Sequence, residues 1–129
     1  MFTLLRMTLL LGLLALGDAW AGEVIANVAV TLSADEVRDV FLGEKQFAGR
    51  LRLVPVDNSS LQGEFLARVL QSDERKYAAR WQRKTFRDGL VAPSVNGSDA
   101  EVIAFVKSTP GAVGYVNVAP AGVKVLEKF

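Results

Sequence analysis

The chain of 129 residues contains no cysteine and no histidine. Without cysteine there is no disulfide, no thiol nucleophile and no thiolate metal ligand. Without histidine there is no Ser-His-Asp or Cys-His arrangement, no imidazole base near neutral pH, and no histidine ligand for zinc. Carboxylate or lysine chemistry remains possible in principle, but no carboxylate pair is marked out for it. The expectation is a protein that is not an enzyme, with no catalytic residue, no metal site and no cofactor. Charge of one sign is also missing: 15 Lys and Arg oppose 14 Asp and Glu, for a formal charge of +1. Such a balance argues against a nucleic-acid partner and against general attraction to anionic membranes.

Long apolar runs are scarce as well. The one that stands out, residues 7–16, follows Arg6 and is about ten residues long, too short to span a bilayer. Ala19-Trp20-Ala21 then fits a small-x-small cleavage pattern. Residues 1–21 therefore read as a signal peptide, with a retained anchor as the alternative. Export to the periplasm is expected, and the chain is not an integral membrane protein once the leader is removed. Residues 22–129 suffice for one domain.

The pattern of that domain interleaves strands with helices. Residues 24–30 are a β-rich apolar run. Ser33 and Glu36 form a capping box, with Leu32 and Val37 placed as a hydrophobic staple and Gly43 as the helix stop. Residues 44–50 read as a polar loop, and residues 51–56 as a strand whose Pro55 marks an end or an edge. A helix is expected from the 57–60 cluster to about Leu70, and another from Asp73 toward Arg87, with Tyr77, Ala78 and Trp81 inward. Residues 89–97 read as a loop. Ser98 and Glu101 form a second capping box; Pro110-Gly111 stops that helix, and a buried strand follows through Val116. A last strand is expected at residues 123–126. The class is α/β, a small mixed sheet covered by helices.

Three places could carry function. Asn58, Ser59 and Ser60 lie where a strand gives way to a helix, where α/β proteins hold anions; the same residues are also ordinary cap and turn formers. Lys76, Arg80, Arg83 and Arg87 recur at helical spacing, with Arg75 and Lys84 nearby and no acid between them. They read as a partner-docking stripe or as a solvated helix face. The glycines of residues 111–114 are expected to shape backbone more than to hold a ligand, and Trp81 and Phe86 to be core or rim aromatics.

Taken in order, several segments resemble one family: Leu32 through Gly43 (LSADEVRDVFLG), Leu53 through Asp57 (LVPVD), Phe65 with Val69-Leu70, then Tyr77, Trp81, Phe86, Gly89 and Pro93. Ser98 through Val102 (SDAEV) and Thr109 through Val116 (TPGAVGYV) complete the series. Together they look like the short phosphate-binding-protein-like domain related to the substrate-binding subunits of phosphate ABC transporters. The resemblance implies a single lobe of the type II periplasmic binding fold, and a solute-binding role for phosphate or another small anion. It also implies an ABC permease as partner, the alternative being a ligand-free accessory module of an envelope sensor or transport system. Family members look to use an Arg followed by a Ser-Gly-Thr turn; here only Ser59 matches, within Pro55-Val56-Asp57-Asn58-Ser59-Ser60-Leu61.

Overall fold

The computed structural model describes residues 20–129, so the expected signal peptide, except for its last two residues, lies outside the described residues. Seven strands and four helices follow in the order β1 (Glu23–Ala26), α1 (Ala34–Phe41), β2 (Phe47–Ala48), β3 (Leu51–Arg52), β4 (Val54–Asn58), α2 (Gln62–Arg68), α3 (Glu74–Asp88), β5 (Ser94–Asn96), α4 (Asp99–Ser108), β6 (Ala112–Val116) and β7 (Lys124–Lys128). Five strands make a mixed sheet in the order β5-β4-β6-β1-β7. β4 runs parallel to β5 and β6, while β1 is antiparallel to both β6 and β7. The expected α/β class with a small mixed sheet is what the chain adopts.

Alternation along β6 decides which core each side chain joins. Val113 and Tyr115 point to the face covered by α1, α2 and α3, where Phe41, Phe65, Leu66, Tyr77 and Trp81 pack. Ala112 and Val116 point to the other face, where Val102 and Val106 of α4 meet Ile25 and Val56. Gly114 lies on that same face because a Cβ there would stand 2.7 Å from Val102 Cγ1. Gly111 is fixed by backbone instead: its added Cβ would come within 1.8 Å of the Arg52 carbonyl oxygen. Both glycines shape the fold, as expected. The larger core centres on a stack of Phe65 against Tyr115, ring centroids 3.9 Å apart, edged by Phe41 and Phe129.

Three helix starts follow the sequence, although the Glu101 carboxylate accepts from Gly97 N–H (2.8 Å) and so leaves the second capping box half formed. Ser33 caps α1 with both arms of the capping box formed, Asp73 caps α3 through the Lys76 amide, and Ser98 caps α4 through the Glu101 amide. Gly89 closes α3 in the left-handed conformation at φ 69°.

Several expectations give way. β1 stops at Ala26: the Asn27 amide still donates to Ala112 O of β6 (3.0 Å), but its side chain holds a turn, donating to the carbonyls of Val106 (2.8 Å) and Lys107 (3.2 Å) and accepting from Ala29 N–H. The expected loop at 44–50 contains β2, which pairs with β3 as a two-stranded ribbon. Pro55, by contrast, sits where expected: it is the second residue of β4, at a level where that strand is paired on one side only. The amide of Val54 donates toward β6, to Gly111 O at 2.8 Å, so alternation turns the Pro55 nitrogen toward β5. The β4–β5 ladder begins only at Val56 opposite Ser94, so no ladder bond is lost there.

Candidate functional site

The parallel strands β4, β5 and β6 end together, and the residues at their carboxyl ends are tied by side chains instead of being left open. Asp57 is 1% exposed, and among the described residues its carboxylate accepts hydrogen bonds from tyrosine hydroxyls alone: Tyr77 donates to Oδ2 at 2.9 Å and Tyr115 to Oδ1 at 2.8 Å. Burial removes the water that would stabilise the charged form and pushes the carboxyl up to about 6, against the smaller opposing effect of the two hydrogen bonds. The same burial, with the carboxylate nearby, raises both phenols, so each stays a neutral donor. Asp57 is therefore not a helix cap. Helix α2 starts five residues later, at Gln62, and its N-cap Leu61 makes no side-chain cap bond.

Asn58, fully buried, faces the opposite side of the sheet. Its Nδ2 donates to Asp99 Oδ1 (2.8 Å) and to the Tyr115 carbonyl (3.0 Å); its Oδ1 accepts from the Ser60 amide (3.1 Å) and hydroxyl (2.6 Å). Asp99 in turn accepts from the backbone and side chain of Asn117 beyond β6. This network fastens the start of α4 across β4 and β6. The three residues expected to hold an anion thus differ in what they offer. Asn58 has spent its carboxamide on the scaffold and sets the turn that presents Ser60. Ser59 is exposed, its amide donating to Asn96 O at 2.9 Å, and among the described residues its hydroxyl makes no hydrogen bond. Beside it, Asn96 Nδ2 is buried with no partner.

The basic stripe on α3 also divides. Arg80 donates to Leu42 O at 3.2 Å and pairs with Glu44 at 2.6 Å, and Lys84 joins the same carboxylate at 2.9 Å. Those cations lock α3 onto the end of α1 and hold Glu44 below the usual carboxylate range, chiefly through Lys84. Lys76, Arg83 and Arg87 remain in solvent. Trp81 is core, its Nε1–H donating to Phe41 O at 3.0 Å. Phe86 is not: it is 95% exposed. The helical period carries this signal, because Phe86 stands nine residues beyond the inward Tyr77, about half a turn round the helix. Asn96 and the Asp57–Tyr115 bond had no comparable local signal, since the partners come from different strands.

No protein-family model matches the sequence, and no curated protein matches it. Among solved structures, the fold is similar to the crystal structure of an ABC-type phosphate transport receptor from Vibrio cholerae, with a TM-score of 0.51 at 14% sequence identity. The superposition takes in 84% of this chain but 46% of that receptor, so the chain spans about half the receptor's length. The likeness is one of fold. It agrees with the expected phosphate-binding-protein-like fold. No helix among the described residues is long and apolar enough to cross a membrane.

Proposed function

We propose that this chain is an exported, periplasmic, non-enzymatic module of the phosphate-receptor type. It holds phosphate or another small oxyanion on a shelf made by Ser59, Ser60 and Asn96, with Asn58 as the residue that positions them. The observation supporting this reading is the pair of unspent polar groups at the carboxyl ends of β4 and β5, the Ser59 hydroxyl and Asn96 Nδ2. In parallel α/β sheets such ends are where ligands sit. A single lobe leaves the anion largely hydrated, so the affinity is expected near millimolar, about −4 kcal/mol, and an ABC permease is the expected partner. Isothermal titration of the purified protein with inorganic phosphate tests this. Saturable heat that disappears in the combined Ser59→Ala, Asn96→Ala variant supports the shelf; no heat at millimolar phosphate rejects it.

A second reading has its own observation. Phe86 and the exposed cations Arg83 and Arg87 beside it make α3 a docking face, as expected of an accessory module of an envelope sensor or transport system. Charge reversal at Arg83 abolishes partner capture on this reading and leaves phosphate titration unchanged.

A further inference from the structure

Phe86 forms a ridge between two hollows. On one side is a groove of ≈530 Å³ walled by Tyr77, Ala78, Trp81, Pro93 and Val95. On the other is a hollow of ≈620 Å³ edged by Ala79, Arg83 and Arg87. A lone exposed phenylalanine is unremarkable on its own. Here the ring borders an apolar groove whose far wall is the edge of the sheet.

That edge is open. Among the described residues β5 pairs with β4 alone. The Asn96 carbonyl accepts on the β4 side, from the Ser59 amide, so alternation turns the amide and carbonyl of Val95 outward. The Val95 side chain, 58% exposed, stands in register with Asp57 and so lines the groove. An unpaired donor and acceptor beside an apolar trough is the template that strand addition uses.

Charge narrows the occupant. Between Glu74 and Asp88, α3 carries only cations among its ionisable groups besides Tyr77. Arg80 and Lys84 are consumed by Glu44. Among the described residues Arg75, Lys76 and Arg83 have no ion pair, and Arg87 reaches Asp88 only at 3.7 Å. The carboxylate at the groove, Asp57, is buried under the tyrosine hydroxyls. A second copy docked face to face would set these cations against themselves. A lipid surface is flat and offers no backbone to Val95.

We propose that the groove between α3 and β5 binds an extended segment of another protein that is apolar at every second position and acidic at one end. The segment adds as a strand at Val95, so every second side chain, apolar, enters the groove against Phe86 while the others face away from α3, and the carboxylates of its acidic end meet Arg83 and Arg87 beyond the Phe86 ridge. This rests on the docking reading of α3 and specifies the chemistry of its partner.

The probe is a fluorescein-labelled peptide with valine at every second position and a glutamate-rich end, measured by anisotropy against the same peptide with lysine for glutamate. The acidic peptide binds, moves the Val95 amide resonance, and loses about tenfold in affinity with Phe86→Ala or Arg83→Glu. Ser59→Ala leaves binding unchanged. Phe86 and Arg83 both lie in solvent, so these variants keep the native circular dichroism. Equal binding of both peptides, self-association at Val95, or preference for phosphatidylglycerol vesicles overturns the proposal. A photo-crosslinker at position 86, used in the producing cells, separates the two failures. Crosslinks to another protein without binding of the acidic peptide reject the chemistry alone; neither result rejects the docking face as well.

Discussion

The Tyr115 hydroxyl donates to Asp57 Oδ1 at 2.8 Å, joining β6 to β4 inside the core. Tyr115 also stacks on Phe65, so one side chain supplies both the apolar centre of the domain and the donor that makes a buried carboxylate tolerable. With Tyr77 completing the pair, the carboxylate has a donor on each oxygen and no cation. Removing one partner while leaving the charge costs more than the bond itself contributes.

That arrangement sets a pH dependence. The carboxyl of Asp57 is raised from 3.8 to about 6 by burial. A group raised in the folded state contributes its stability fully below the unfolded value, and loses it as pH climbs through the folded one. The total is about 3 kcal/mol, of which roughly half falls between about pH 5 and pH 7.5. Urea unfolding should therefore show a more stable protein at the lower pH. Asp57→Asn, which keeps an acceptor for one tyrosine, should flatten that slope. Glu127, also raised by burial, stays in both proteins, so their difference isolates Asp57. An unchanged slope in the variant contradicts the assignment.

Asn58 and Ser59 are neighbours with opposite expected costs. Asn58→Ala strips partners from Asp99, the Tyr115 carbonyl and Ser60 together. The loss expected is about 2–4 kcal/mol, since buried groups are left unsatisfied. Ser59→Ala removes an exposed hydroxyl and should stay within about 0.5 kcal/mol. Thermal unfolding of both variants makes the comparison; equal effects rule out the scaffold role of Asn58.

Glycines give a contrast of the same kind. Gly111→Ala drives a methyl into the Arg52 carbonyl and should prevent accumulation of folded protein. Gly63, in the first turn of α2, has nothing within 4 Å of an added Cβ. Gly63→Ala should stabilise by about 0.5 kcal/mol, through helix propensity and a less free unfolded chain. Soluble yield and the urea midpoint check the two cases.

How far the sequence reached depends on the range of the interaction. Ser33, Asp73 and Ser98 were legible as caps because a cap and its amide lie three residues apart, and Val37, Val40 and Phe41 as a buried stripe because periodicity is local. β5 was missed because three residues, Ser94 to Asn96, carry no period and owe their extension to β4. Pro55 was legible as an edge-like position because β4, though internal, is one-sided at that level. At the candidate site the turn around Ser59 and Ser60 was visible, whereas the fate of Asn58 depended on Asp99, forty-one positions away. Phe86 could have been placed outside by counting from Tyr77.

The basic stripe offers the sharpest test of which cations build and which are available. Arg80 ties the Leu42 carbonyl and Glu44 to α3, while Arg83 one turn later touches neither. Arg80→Ala should lose about 1 kcal/mol: the pair itself is half exposed and contributes little, but the bond to a carbonyl at the end of α1 goes with it. The loss should persist in high salt, because the carbonyl bond is not an ion pair. Arg83→Ala should leave the urea midpoint within about 0.5 kcal/mol of the parent while weakening any acidic ligand of α3. Matching destabilisation by the two substitutions would mean that the stripe acts as one solvated face. A stable Arg83 variant that no longer binds identifies Arg83 as a docking residue and Arg80 as part of the frame that holds it.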